Sequence, residues 1–229
     1  MSKNQNTRTE TKLRFHVVQD ELFIDLNLFQ FGWEKCGPLH QWGPAIRNHY
    51  LFHYIISGKG RVEVSSGAYT VEAGQGFLLC PQQVSTYYAD HDDPWTYTWV
   101  EFDGLRAREC MTLAGLSKAQ PIYTPGAGHG HNELEQCFMN LIDTAGQAPI
   151  RLVGLGMVLM DEIVQTSKAR VSSSKDNRLR EFYIKEALTF IDRNYHRDNG
   201  ITIWLRGIFL PFPGTTLHAQ GEQMRIWSF

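Results

Sequence analysis

Between residues 50 and 102 the apolar and polar positions change over with a period close to two, interrupted every eight to twelve residues by a turn signal. Residues 50–56 form an aromatic and β-branched run that ends at Ser57-Gly58-Lys59-Gly60. Arg61-Val62-Glu63-Val64 alternates, Ser66-Gly67 turns the chain, and residues 68–72 alternate again. After the Ala73-Gly74-Gln75-Gly76 turn comes Phe77-Leu78-Leu79-Cys80, a wholly apolar run stopped by Pro81, and residues 95–102 alternate aromatic with smaller side chains. Short strands at this spacing, spread over residues 15–102, predict a β-sandwich or barrel.

After Gly104 the period becomes helical. Residues 105–115 suit a short helix, and residues 133–145 carry Leu134, Phe138, Leu141 and Ile142 on one stripe. Gly146 to Pro149 breaks that helix, and Pro149 is well placed to start the next, over residues 150–168. This last helix is apolar on two faces. Leu152, Leu155, Leu159 and Ile163 form one, and Val153, Met157, Met160 and Val164 form its neighbour. Two faces need two partners, so one is expected on the β-body and the first set, Leu152, Leu155, Leu159 and Ile163, is expected at a homodimer interface. Residues 165–177 form a polar, serine-rich linker, and residues 178–196 are again helical, with Ile184, Ala187, Leu188 and Ile191 as the apolar stripe.

The chain has 229 residues, 42% apolar and 20% charged, enough to bury a real core. Its 22 basic and 24 acidic side chains exclude a polybasic nucleic-acid binder over the whole length. The charge is uneven: residues 1–167 hold 12 basic and 18 acidic groups, whereas residues 168–198 hold 8 and 5. Cys36, Cys80, Cys110 and Cys137 are scattered with no C-x-x-C pair, as in reduced cytoplasmic proteins. Residues 1–12 are polar, unlike a secretory signal, and no apolar run reaches the length of a membrane span, so a cytoplasmic location without membrane contact is expected.

Three stretches in order carry a resemblance: Tyr50-Leu51-Phe52-His53-Tyr54-Ile55-Ile56-Ser57-Gly58-Lys59-Gly60, Gly74-Gln75-Gly76-Phe77-Leu78-Leu79-Cys80-Pro81, and Trp95-Thr96-Tyr97-Thr98-Trp99-Val100-Glu101-Phe102. Together they resemble the sensor domain of AraC-family transcription regulators, and residues 36–50 are similar to the Gram-positive sugar-operon subgroup. The resemblance covers about residues 13–203. It implies an α+β fold: a cupin-like, jelly-roll-type β-barrel that binds a small effector, often a sugar, followed by a dimerising helical hairpin. The implied division is a mobile arm at 1–12, an effector-binding and dimerisation domain at 13–168, a linker at 169–178, and an incomplete helix-turn-helix domain at 179–229. Residues 176–195 resemble the linker and first helix of the family's DNA-binding domain. Past Ile203 the pattern departs, because Pro211, Pro213 and Gly214 replace the helices the family would place there. A truncated or frame-shifted reader with no intact DNA-binding residues is the expectation, and specific DNA binding is doubtful for this chain.

Trp95, Tyr97, Trp99 and Glu101 occupy alternate strand positions and share one face. Pointed into a barrel, they offer flat aromatic surfaces for a sugar ring and one acceptor for its hydroxyls. The resemblance places effector-binding residues at Tyr97, Trp99 and Tyr88. Arg47, just before a central strand, is a candidate partner for a hydroxyl or carboxylate, and Trp42 a candidate for closing the mouth. For all the aromatics the alternative is plain core packing. His49 and His53 lack a third ligand nearby in sequence, and His129 and His131 sit in a glycine-rich loop, so neither a metal nor another cofactor is expected. The chain lacks G-x-S-x-G, a P-loop and H-E-x-x-H, which argues against an enzyme. Two rival readings stand beside the sensor: a cupin-fold sugar-modifying enzyme and a ligand-free dimerisation module.

Overall fold

A computed structural model describes residues 12–18, 23, 25–128, 131–146 and 148–171. These belong to the first of two compact units, residues 1–172. Residues 1–11 of the expected arm, all but the first residues of the linker, the helix at 178–196 and the incomplete DNA-binding domain lie outside the described residues.

Ten strands and three helices follow one another as β1 (Leu13–Val17), β2 (Asn27–Lys35), β3 (Gln41–Ile46), β4 (Tyr50–Ser57), β5 (Lys59–Val64), β6 (Gly67–Glu72), β7 (Gly76–Leu79), β8 (Val84–Ala89), β9 (Thr96–Asp103), α1 (Leu105–Leu113), β10 (Ile122–Tyr123), α2 (His131–Asp143) and α3 (Pro149–Thr166). They build two antiparallel sheets, one in the order β1-β2-β9-β4-β7-β10 and one in the order β3-β8-β5-β6. The result is the expected cupin-like barrel followed by helices.

Burial explains why some strands read as alternating and others did not. The central strands of the larger sheet, β9, β4 and β7, are covered on both faces. Leu51, Ile55, Phe77, Leu79, Tyr97 and Trp99 point toward the second sheet, and Phe52, Tyr54, Leu78, Val100 and Phe102 point toward the helices. Strands buried on both faces appear as continuous apolar runs, which is the pattern of Phe77-Leu78-Leu79-Cys80. The smaller sheet shows water its outer face. On β5, Gly60 and Val62 are buried while Arg61 and Glu63 are exposed. Pro44 sits in β3, the edge strand of that sheet, at a register shift between Trp42 and Ala45. An edge bulge is where a residue lacking an N–H costs least.

The helices close the outer face of the larger sheet. α3 packs on α1, α2 and β2, and Gly156 lets it approach Leu26 and Leu28 so closely that an added Cβ would lie 3.0–3.2 Å from their methyl groups. This corrects the expected dimer surface. Leu152, Leu159 and Ile163 are buried in the protomer's own core, with Met160 and Val164, and Leu155 is half-buried against the same core. Both apolar faces of α3 find their partners within one chain. What stays in water is Ile150, 72% exposed, and Val158, 55% exposed.

Candidate functional site

β9 sets the site. It pairs with β2 on one side and β4 on the other, and its alternate residues Tyr97, Trp99 and Glu101 face the barrel interior, as their spacing predicted. Trp95, just before the strand, is fully buried and plugs the deep end. Its ring packs against Phe77, Tyr87 and Tyr97, at centroid distances of 5.9, 6.3 and 5.8 Å, and over Gly60, where a side chain would collide with it. For Trp95 the core-packing alternative holds.

Trp99 lies nearer the mouth and is 9% exposed. It is opposite Gly32 in the β2–β9 register, and its indole occupies the space a side chain there would fill. Phe15 of β1 stacks on it at 6.2 Å with the planes 26° apart. Tyr97 donates its hydroxyl to Glu34 Oε2 at 2.9 Å, and burial raises its phenol far above the ordinary tyrosine range, so it is a neutral donor.

Glu101 collects the polar residues of the mouth. Arg47 Nη1 donates to its Oε2 at 3.0 Å, Gln30 Nε2 donates to the same oxygen, and His49 Nδ1 stands 3.3 Å from Oε1. A register shift between Leu28 and Gln30 turns Gln30 inward opposite Glu101, and Phe29 stacks flat on His49 at 3.6 Å. The Arg47 guanidinium lies 4.2 Å from the centre of the Trp42 ring, and Trp42 stacks on Tyr87 at 5.4 Å. Trp42, Arg47, Trp99 and Glu101 are thus brought to one end of the barrel, with Tyr97 one layer deeper.

Tyr88 is not part of this group. It points outward from the smaller sheet and donates to Glu63 at 3.1 Å on the exposed surface. The inward residue of β8 is Tyr87, flanked by buried Ser85 and Ala89. A shift of one position moves a side chain to the opposite face of a strand, and here that separates a pocket tyrosine from a surface one. The Tyr87 phenol is raised by burial, an effect the neighbouring Arg47 partly offsets.

Sequence reasoning also passed over His53 as a site residue. It is fully buried on β4 between the rings of Phe77, Tyr87 and Tyr97, at 4.5, 4.8 and 5.0 Å. Burial, and to a lesser degree the Arg47 charge, holds its pKa well below 6.5, so the ring is neutral. Its Nδ1 and the Arg47 Nε are buried with no hydrogen-bond partner among the described residues. Unpartnered buried polar atoms are costly and mark places where a polar ligand has something to gain. Two surface depressions lie elsewhere, one lined by Glu63, Gln82 and Lys118 and one by Tyr50, Arg108 and Lys118, and neither touches this mouth.

Where β2 ends beside Trp95, Glu34, Cys36 and His40 place three potential metal-ligating atoms within 4.8 Å of one another. Cys36 is pushed up to about 12, chiefly by burial and then by the charge of Glu34.

No helix among the described residues is long and apolar enough to cross a membrane. The Msm operon regulatory protein of Streptococcus mutans is 38% identical over 96 residues, covering 42% of this chain and 34% of that protein. The raffinose operon transcriptional regulatory protein RafR of Pediococcus pentosaceus is 36% identical over 110 residues, covering 47% of this chain and 39% of that protein. The matches therefore span little more than a third of those relatives. Among solved structures, YhaK of Escherichia coli aligns with 41% of this chain and 45% of its own at 16% identity and a TM-score of 0.36. A Cupin 2 conserved barrel domain protein of Salinispora arenicola aligns with 40% of this chain and 76% of its own at 15% identity and a TM-score of 0.32. The AraC-like ligand binding domain family matches residues 28–158, which take in β2 to β10 and the aromatic mouth, and the chain belongs to that family.

Proposed function

We propose that this chain is the sensing part of an AraC-type transcription regulator that takes a small carbohydrate at the barrel mouth. The observation that carries this reading is the grouping of Trp42, Arg47, Trp99 and Glu101, with buried polar atoms of Arg47 and His53 left without partners. Flat rings suit the apolar faces of a sugar, while the Arg47–Glu101 pair offers a donor and an acceptor to its hydroxyls. The relatives, named as regulators of the msm, raffinose and lactose operons, support a carbohydrate effector and a non-enzymatic role. A regulator of this kind works in the cytoplasm, and DNA is its partner in the full-length family form.

Assembly follows from what the protomer leaves uncovered. The homodimer forms through the outer stripe of α3, where Ile150, Gly154 and Val158 follow at intervals of four, and not through the buried Leu152, Leu159 and Ile163. The test of the sensing role is a thermal-shift screen against mono- and oligosaccharides, with raffinose and lactose included because the relatives' names carry them. A sugar at 100 times its Kd stabilises the fold by about 2.7 kcal/mol. Stabilisation by one member of the panel supports the reading. A panel without any stabilising sugar, set beside turnover of one of them, turns it over in favour of the enzyme.

A further inference from the structure

The chain from Glu34 to His40 doubles back on itself. Glu34 and Cys36 lie two apart at the end of β2, and both face the barrel interior. The turn Gly37-Pro38-Leu39-His40 is closed by the His40 N–H donating to the Gly37 carbonyl at 3.2 Å, with Leu39 at a φ of 56°. The Ala89 N–H donates to the His40 carbonyl at 2.9 Å and pins this turn to β8. His40 Nε2 is thereby set 3.6 Å from Glu34 Oε1, and the Cys36 sulfur lies within 4.8 Å of both groups. Bond lengths of about 2.0–2.3 Å to a tetrahedral zinc imply ligand–ligand separations of about 3.3–3.8 Å. The His40–Glu34 separation already lies in that range, and the His40 ring is exposed.

From this geometry we infer that Glu34, Cys36 and His40 form a binding site for a zinc-like divalent cation, with a fourth position open to solvent beside His40. One sulfur, one imidazole nitrogen and one carboxylate oxygen suit a borderline cation rather than calcium or magnesium, which prefer all-oxygen sites. A second observation points the same way. Trp95 is fully buried, and its indole N–H has no partner in hydrogen-bond geometry among the described residues. That N–H lies beside Cys36, placed to donate to a metal-bound thiolate from behind, while the Tyr97 hydroxyl donates to Glu34 and fixes that carboxylate. A bound cation displaces the thiol proton, and the indole N–H then meets a full negative charge. This site stands whether or not the mouth takes a carbohydrate.

The test is titration of the reduced, chelator-treated full chain with cobalt(II), followed by zinc(II). The expected result is one equivalent of cobalt producing a thiolate-to-metal charge-transfer band and intense tetrahedral visible bands, both removed by one equivalent of zinc. Cys36→Ser abolishes the charge-transfer band. His40→Gln, at an exposed position that folds without difficulty, weakens cobalt at least tenfold. A wild-type chain without the band overturns the proposal. So does a band that survives Cys36→Ser and so belongs to Cys80, Cys110 or Cys137, or a His40→Gln affinity equal to wild type.

Discussion

Replacing Gly32 by alanine tests the packing on which the mouth depends. An ideal Cβ at this position lies 2.6 Å from Trp99 Cη2 and Cζ2, where ordinary contact begins at 3.4 Å, and it also overlaps the Arg14 carbonyl oxygen on β1. The indole would have to retreat by about 1 Å, but Tyr97, His53 and Phe15 surround it at ring distances of 5.6, 6.4 and 6.2 Å. Interiors at this density absorb an extra methyl with strain of about 1–3 kcal/mol. The cheaper release is on the other side. β1 is a five-residue edge strand whose Leu13, Phe15 and Val17 are exposed, and it pairs only with β2. Gly32→Ala therefore lowers the melting temperature by about 2–12 °C and frees β1, taking Phe15 off Trp99. Calorimetry reads the first effect and hydrogen exchange of the β1 amides the second. Gly37→Ala is the control, since a Cβ there meets nothing within 4 Å. A Gly32→Ala protein that melts with wild type and keeps β1 protected would show that Trp99 does not lie over Gly32 as described.

Four further outcomes follow from the same geometry. His53 is buried neutral with its pKa held well below 6.5, so as pH falls below about 6.5 the unfolded chain gains a proton the folded chain refuses. Stability then drops by up to about 1.4 kcal/mol per pH unit from this group, and His53→Phe should flatten the slope of urea midpoint against pH between 6.5 and 5. Leu159→Ala should cost about 2–5 kcal/mol in denaturant unfolding, because its side chain is fully buried in the protomer. Val158→Glu should stay within about 0.5 kcal/mol yet shift sedimentation from dimer to monomer. Tyr87→Phe should weaken effector binding, whereas Tyr88→Phe, whose hydroxyl donates to surface Glu63, should leave affinity unchanged in calorimetric titration.

The barrel was legible because two-residue alternation survives wherever one sheet face meets water, as in Arg61-Val62-Glu63-Val64, and the inward face of β9 was legible because its large rings fall on one parity. Where both faces are buried the parity disappears, and for that reason His53 on β4 did not stand out as a site residue. Residues 84–89 place two tyrosines side by side with Ser and Thr before them, so nothing local says which tyrosine turns inward. The two apolar faces of α3 imply two partners. Sequence spacing cannot tell a neighbouring helix of the same chain from one of a second chain, and here α1, α2 and β2 supply both. The Glu34–Cys36–His40 group depends on a left-handed Leu39, a conformation that no Gly or Asn announces.

The central claim is that a carbohydrate is held at the mouth by Arg47 and the rings around it. Calorimetric titration of the stabilising sugar into wild type and Arg47→Met measures this most directly. In the variant, Glu101 keeps Gln30 and His49 as partners, so the barrel persists while the charged donor is gone. Loss of a charge-assisted hydrogen bond of about 1.5–3 kcal/mol predicts affinity lower by about 10- to 150-fold with stoichiometry unchanged. Equal affinity in the two proteins would place the effector away from Arg47 and contradict the account.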